Sequence, residues 1–110
     1  MKIYQLSEIC SVASQIQPED APQLADAGFK VVVCNRPDGE EIDQPTIADI
    51  GAACEAAGLE FHAIPIDRSG IRTDMVDAFR HIVTSGAGPI LAYCRTGQRS
   101  SILWQASGSP

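Results

Sequence analysis

Residues 89–104 read Pro-Ile-Leu-Ala-Tyr-Cys-Arg-Thr-Gly-Gln-Arg-Ser-Ser-Ile-Leu-Trp. The apolar run Ile90–Tyr93 predicts a buried strand, and the residues after the following polar loop predict a helix that begins near Ser100. Backbone N–H groups of such a loop, together with the positive end of the helix dipole, favour a negative charge. The stretch therefore predicts an α/β fold whose last strand leads into an anion-binding loop.

The rest of the chain predicts the elements that surround this loop. Apolar runs predict extended segments in residues 1–6, 9–16, 29–35 and 61–66. Helix signals place helix starts near Asp20 or Ala21, at Pro45 and at a capping Thr73, and helix ends at Gly28, Gly58 and Ser85. This order argues for one α/β domain over residues 1–110, with a mostly parallel sheet, right-handed crossovers and helices on both faces.

Composition and charge restrict the class of protein. The chain has 110 residues, 45% of them hydrophobic, so we expect it to fold around a small core. It has no apolar run as long as a membrane span and no basic-then-apolar leader, which predicts a cytoplasmic protein that does not enter membranes. The net charge of -6 argues against nucleic acid or an anionic membrane surface as a partner.

The basic residues are unevenly placed along this acidic chain. Five of the eight follow predicted strands: Arg36, Arg68, Arg72, Arg95 and Arg99. Because the loops after parallel strands share one edge of a sheet, we expect a basic edge that attracts a small anion. The alternative is that these arginines are ordinary exposed loop residues.

The four cysteines, Cys10, Cys34, Cys54 and Cys94, include no Cys-x-x-Cys pair, and the histidines have no ligand-like spacing. We therefore expect no metal site, no cofactor and no disulfide framework. Cys34 and Cys54 lie in apolar patterns that predict small buried residues. Cys10 either packs in a strand or acts as a resolving thiol near Cys94.

Cys94 is the candidate nucleophile, because the loop N–H groups would hold it as a thiolate. It is followed by Arg99 in a Cys-x4-Arg spacing, which resembles the active loop of rhodanese-type sulfurtransferases. Cysteine-dependent phosphatases use a loop one residue longer, and at that spacing this chain has Ser100. The tighter loop favours a bound sulfur atom or a sulfane-sulfur oxyanion over phosphate.

Other residues of the loop have predicted roles in anion binding. Arg95 would point outward and aid binding of the anionic donor, or is an ordinary surface arginine. Thr96 and Gln98 would bind the anion, and Gly97 would supply a positive φ or a close backbone approach. Ser100 would either donate to the thiolate or cap the helix, and capping is the preferred interpretation. Arg36, which follows an earlier strand, is a further candidate anion ligand.

Asp67 discriminates between two chemistries. It follows the strand predicted in residues 61–66, where dual-specificity phosphatases carry a general acid that protonates the leaving oxygen. Sulfur transfer to a thiol has less need of that acid. The alternative, which we favour slightly, is an aspartate that caps a turn or pairs with Arg68 or Arg72.

Taken together, residues 11–20, 27–29, 35–41 and 94–100 resemble the beta-lactamase-hydrolase-like protein family, phosphatase-like domain. The resemblance implies a cysteine-phosphatase-like fold, similar to dual-specificity phosphatases, and a family also described as sulfurtransferases. Some members are fused to a metallo-hydrolase or persulfide dioxygenase, which implies a functional link to such an enzyme. Members usually continue for some tens of residues past the loop helix, so the resemblance also implies a chain truncated at its C-terminus.

Three functional hypotheses follow. The first is a sulfurtransferase that takes sulfur from a small anionic donor onto Cys94 and passes it to a thiol acceptor. The second is a cysteine-dependent phosphatase acting on phosphotyrosine or a small phosphoester, with Asp67 as the acid. The third is a non-catalytic module whose loop binds an anion or a partner.

Overall fold

A computed structural model describes residues 1–109, so Pro110, the last residue of the expected domain, lies outside the described residues. Its strands are β1 (Ile3–Gln5), β2 (Cys10–Ala13), β3 (Val31–Cys34), β4 (Glu60–Ala63) and β5 (Ile90–Tyr93). Its helices are α1 (Ala21–Asp26), which follows a 3₁₀ turn at Pro18–Asp20, α2 (Ile47–Ala56), α3 (Thr73–Thr84) and α4 (Gln98–Ser107). The strand order is β1-β2-β5-β3-β4, and every pair is parallel except β1 with β2.

Helices cover both faces of the sheet, as the sequence predicts. On β3, Val31 and Val33 pack in one cluster with Phe79 of α3 and Leu103 of α4, while Val32 packs in the cluster of α1 and α2 on the other face. Successive side chains of a strand point to opposite faces, so a continuous run of valines is what a strand buried on both sides requires. The predicted fold class, a mostly parallel sheet flanked by helices, is confirmed.

The first helix begins where the sequence predicts. Helix α1 starts at Ala21, and Pro22 therefore lies in its first turn, where the helix needs no N–H from it. The Asp20 carboxylate accepts the backbone N–H of Gln17 at 2.7 Å, which closes the preceding turn. The chain thus enters α1 without the break that an interior proline would cause.

Several predicted boundaries were wrong, among them the end of β2, which lies at Ala13 and not at residue 16. Thr73 is the first residue of α3 and the cap position is Arg72, so Thr73 does not cap the helix. The cap of α2 is Thr46, whose hydroxyl accepts the Asp49 N–H at 3.1 Å, one residue after the predicted Pro45. Strand β4 ends at Ala63, short of the predicted residue 66, although the N–H groups of Ile64 and Ile66 still donate to the Cys34 and Asn35 carbonyls.

The last helix begins at Gln98, two residues before the predicted start near Ser100. Helix α4 has 10 residues, which is nearly three turns, and it ends at Gly108 in a left-handed conformation with φ of 64°. Leu103 is fully buried from this helix in the core that it shares with α3. Its N-terminus lies directly after the loop that follows β5.

Cys10 cannot serve Cys94 as a resolving thiol. It pairs with Ile90 at the start of the parallel strands, whereas Cys94 comes directly after Tyr93, at their other end. Four residues of strand separate the two positions, which corresponds to roughly 13 Å. Cys10 is a buried strand residue, so the packing alternative is the correct one.

Candidate active site

The loop after β5 is built around the Cys94 sulfur. The Cys94 N–H donates to the Ala13 carbonyl at 3.3 Å, and the Gln15 N–H donates to the Arg95 carbonyl at 3.2 Å, so the loop is tied to the end of β2. The Gly97 N–H donates to Cys94 Sγ at 3.0 Å. Gly97 has a φ of 97°, a left-handed conformation that turns its N–H inward and that other residues rarely adopt. The predicted role of this glycine in shaping a nest agrees with that geometry.

The Cys94 thiol has a lowered pKa although it is buried. Burial alone would raise the pKa, but backbone N–H groups of Ser100, Thr96 and Gly97 and the Ser100 hydroxyl stabilise the charged form and bring the pKa below the ordinary 9.0. Because these donors belong to the loop and the first turn of α4, the protein supplies them already oriented. The loop therefore favours the thiolate form of Cys94, as a nucleophilic cysteine would require.

The other thiols do not share this property. Burial raises the pKa of Cys10 to about 12 and that of Cys54 to about 11, and it raises that of Cys34 as well. All four cysteines are free thiols, and Cys94 alone among them has a lowered pKa. Cys34 and Cys54 are buried, as their sequence context predicts.

Ser100 is a buried link and not the helix cap. Gly97 occupies the cap position of α4, which places Ser100 inside the first turn, where it is fully buried. Its hydroxyl donates to Asn35 Oδ1 at 2.8 Å, and Asn35 Nδ2 donates to the Ile64 carbonyl at 2.9 Å. A hydroxyl has one proton, and the short bond assigns it to Asn35, so the backbone N–H groups carry most of the stabilisation of the Cys94 thiolate.

Arg99 projects over the loop and is held at one end of its guanidinium. Its Nη1 donates to Glu40 Oε2 at 2.8 Å and to the Ile66 carbonyl at 2.9 Å, and its Nη2 donates to Glu40 Oε1 at 2.9 Å. The Glu40 carboxylate is the main reason why the pKa of Arg99 is raised, and Cys94 adds to the effect through its own hydrogen bond with the side chain. Glu40 thus occupies the Nη1–Nη2 end of the guanidinium. The edge that carries Nε remains for the hydrogen bond with Cys94.

A second charged group holds the segment that carries Glu40. Arg36 is buried, and its Nε donates to Glu40 at 2.9 Å, its Nη1 to Gln15 at 3.0 Å and its Nη2 to Glu41 at 2.7 Å. Glu41 in turn pairs with the more exposed Arg95 at 3.3 Å. Arg36 was predicted as an anion ligand. In the structure its three nitrogens are engaged by Glu40, Gln15 and Glu41, so it holds these side chains in place.

The loop opens into a polar cavity of about 420 Å³. Its lining residues are Arg36, Gly39, Glu40, Glu41, Arg68, Arg95 and Arg99. Four of the five arginines of the predicted basic edge therefore meet here; the fifth, Arg72, pairs with Asp74 at 3.1 Å and lines a different cavity. Within residues 1–109, Arg68 makes no ion pair. The cavity thus offers cationic groups to an anion next to the loop, although the buried Cys94 is not among its lining residues.

The remaining predicted loop residues are exposed around this cavity. Thr96 and Gln98 are exposed, and the Thr96 hydroxyl accepts the Gln98 N–H at 3.3 Å. Asp67 is exposed too, and its Oδ1 accepts the Ser69 N–H at 2.8 Å, which closes a turn. It follows Ile66, whose carbonyl binds Arg99, but it is not among the residues that line the cavity.

Sequence reasoning missed four residues of the site: Gln15, Asn35, Glu40 and Glu41. Asn35 is fully buried and links Ser100 to the end of β4, while the two glutamates meet arginines from distant parts of the chain. The available signal was that segments 11–20 and 35–41, which contain these residues, form part of the family resemblance. Over residues 1–109 no group of three or more potential metal-ligating side chains is found, and no helix is long and apolar enough to cross a bilayer.

The fold and the loop define a cysteine-phosphatase-like α/β domain with a cysteine of lowered pKa at the carboxyl end of its sheet. Residues 2–109 match a described sequence family, and the chain belongs to it: the beta-lactamase hydrolase-like protein family, phosphatase-like domain. The match confirms the family resemblance predicted from the sequence motifs.

A beta-lactamase hydrolase-like protein of Agrobacterium fabrum is 34% identical over 104 residues, which is 94% of this chain and 24% of that protein. This chain therefore spans about a quarter of the length of the curated relatives it matches. The crystal structure of a candidate phosphatase from Neisseria meningitidis is 40% identical, with a TM-score of 0.82, over 96% of this chain and 78% of that one. The Pseudomonas aeruginosa protein TpbA, solved with pTyr, shares the fold alone at 15% identity and a TM-score of 0.66, over 92% of this chain and 58% of that one.

Proposed function

We propose that Cys94 is the nucleophile of a transfer reaction on a small oxyanion, and that the group it transfers is sulfane sulfur. The observation that carries the proposal is the short Cys-x4-Arg loop, in which the backbone N–H groups of Thr96, Gly97 and Ser100 stabilise a negative charge on the Cys94 sulfur. An anion bound between Cys94 and the free edge of Arg99 would have its reactive atom next to the thiolate.

The chemistry balances without a redox partner. The Cys94 thiolate attacks the outer sulfur of a donor such as thiosulfate, an S–S bond forms, the donor S–S bond breaks, and sulfite leaves with the electron pair. An acceptor thiolate then attacks the outer sulfur of the Cys94 persulfide, and Cys94 leaves as the thiolate that the loop stabilises. Both leaving groups depart as stable anions, so no side chain has to supply a proton.

A phosphatase is the second candidate, and the relatives favour it more than they favour sulfur transfer. The family is described as phosphatase-like, and the Neisseria meningitidis protein is a candidate phosphatase at 40% identity. A phosphoester releases an alkoxide that needs a proton. Glu40, with a pKa lowered to about 2, is ionised and cannot supply it, so we assign the role of the acid to the exposed Asp67, which its position after the strand predicts.

The mass of the intact protein after treatment with thiosulfate tests the proposal, with Cys94→Ser as the control. One added sulfur that a reductant removes and that the variant lacks would support sulfur transfer. An unmodified folded protein would contradict it. Hydrolysis of an aryl phosphate by the wild type, with a loss in Asp67→Asn that grows as the leaving group becomes poorer, would support the phosphatase. A protein that is inactive in both assays would leave the non-catalytic binding module as the remaining hypothesis.

The setting of the reaction is part of the proposal. Four free thiols fit a reducing compartment, so we propose that the domain works in the cytoplasm with a thiol acceptor. We also propose that a persulfide dioxygenase or metallo-hydrolase consumes its product, since the curated relatives are about four times as long. Cell fractionation, and capture of labelled sulfur on such an enzyme, would check these two points.

A further inference from the structure

We propose that Glu40 is the positioning residue of this site. It accepts hydrogen bonds from Nη1 and Nη2 of Arg99 and thereby orients the Nε edge of the guanidinium towards Cys94. The proposal rests on the proposed function only in requiring that an oxyanion binds beside the Cys94 sulfur. It holds equally for a sulfur donor and for a phosphoester.

The hydrogen bonds of Arg99 support this role. Glu40 accepts two N–H groups, from Nη1 and from Nη2, and the Ile66 carbonyl accepts the second N–H of Nη1. Three contacts fix both the plane and the rotation of the guanidinium, which has five N–H donors in a rigid fork. The two donors that remain, on Nε and Nη2, lie on one edge and suit two oxygens of a tetrahedral anion.

Glu40 is itself held by a buried group. The Arg36 side chain, 3% exposed, donates through Nε to Glu40 Oε1 at 2.9 Å, and its other nitrogens are tied to Gln15 and Glu41. Arg36 lies two residues after the end of β3, next to the loop after β5, so the sheet holds Glu40 through Arg36. A carboxylate held in this way orients Arg99 more firmly than a mobile surface glutamate could.

A carboxylate near an anion-binding arginine could instead compete with the substrate. The geometry opposes this interpretation, because Glu40 binds the Nη1–Nη2 end and leaves the Nε edge to the Cys94 side. The two roles predict opposite results. Loss of a positioning residue weakens the binding of the anion, whereas loss of a competitor strengthens it.

The experiment compares Glu40→Ala and Glu40→Gln with Glu60→Ala. Glu60 lies at the opposite end of the sheet, where it pairs with His62 at 2.7 Å, so its variant removes a paired glutamate far from the site. The alkylation rate of Cys94 by iodoacetamide is measured against pH, which gives the thiol pKa. The protection that thiosulfate and inorganic phosphate give against alkylation yields the dissociation constant of each anion.

We expect Glu40→Ala to weaken protection by both anions at least about tenfold, because Arg99 loses its fixed orientation. Glu40→Gln keeps one oxygen acceptor, so we expect a loss of about threefold or less, together with a lower Cys94 pKa because a nearby negative charge is gone. Glu60→Ala should change neither quantity. A merely structural role would lower the thermal stability of the Glu40 variants and leave the dissociation constants unchanged.

Unchanged or tighter protection in a folded Glu40→Ala protein would overturn the inference and leave the proposed function standing. Wild-type protein that no oxyanion protects would overturn the proposed function itself. If Glu40→Ala does not fold, Glu40→Asp replaces it: the charge remains but the side chain is one methylene shorter, and the same loss of protection is expected.

Discussion

Cys34 and Cys94 lie at neighbouring positions and differ in chemistry. Cys34 ends β3 and pairs with Tyr93, the residue before Cys94, and both cysteines are 1% exposed. Burial raises the pKa of Cys34, whose Sγ donates to the Arg36 carbonyl at 3.3 Å, while the pKa of Cys94 is lowered by N–H groups that point at its sulfur. Burial alone therefore produces an inert thiol, and converging donors are needed to make a nucleophile.

The largest difference should appear when each thiol is removed. Cys94→Ser should reduce any transfer or hydrolysis by roughly 10³-fold or more, because a hydroxyl of ordinary pKa replaces the thiolate. Cys34→Ser should keep most of the activity, since its hydroxyl can donate to the Arg36 carbonyl in place of the thiol. Steady-state rates of the two variants check this. Similar losses in both would mean that the two strand ends act as one unit.

Replacing Gly97 should make the nucleophilic site more like the inert one. In Gly97→Ala the left-handed φ of 97° becomes strained, and the new Cβ would lie 3.5 Å from the backbone of Ala13. We expect a loss of about 1–3 kcal/mol in the free energy of unfolding and a higher Cys94 pKa, as the Gly97 N–H moves from the sulfur. Denaturant unfolding and the pH profile of alkylation measure the two effects. Gly58→Ala, at an exposed position after α2 with a φ of 81° and away from the site cavity, controls for backbone strain alone.

A smaller change in the Cys94 pKa is expected from a substitution of Ser100, which links the segments after β3 and β5. Ser100→Ala leaves Asn35 Oδ1 buried without its donor, which should cost about 1–3 kcal/mol of stability. The Cys94 pKa should rise only modestly, because the main-chain N–H of Ser100 remains. Thermal unfolding with the alkylation profile separates these outcomes. A pKa rise as large as that in Gly97→Ala would show that the hydroxyl proton belongs to the thiolate.

The smallest effect concerns pH. The pKa of Glu40 is lowered from 4.5 to about 2, chiefly by its hydrogen bonds with Arg99. A carboxyl group with a depressed pKa in the folded state contributes stability that is present above its unfolded value and is lost as the pH falls. The contribution of Glu40 should therefore disappear between about pH 4.5 and 2. The free energy of unfolding should depend less steeply on pH over this interval in Glu40→Gln than in the wild type. Equal slopes would contradict a stabilising ion pair between Glu40 and Arg99.

Much of the fold could be predicted because it depends on local pattern. Continuous apolar runs such as Val31–Val33 and Ile90–Tyr93 are what strands buried on both faces require, and glycines after the helices mark their ends. The wrong predictions concerned the ends of helices and strands. Thr73 is the first residue of α3 and not its cap, and residues 64–66 lie outside β4. Helix and strand boundaries depend on which backbone groups find partners, and a single sequence does not display them.

The sequence by itself determined the nucleophilic loop, since Cys94, Gly97 and Arg99 are close along the chain and their spacing dictates the conformation. Only the tertiary structure decided how the charges are paired. The bond from Arg99 to Glu40 joins residues 59 apart, and that from Ser100 to Asn35 joins residues 65 apart. Such pairs form because β3 and β5 are neighbours in the sheet, which brings the segments after them together. The same arrangement buried Arg36 as a support, although its position after a strand resembles that of an anion ligand.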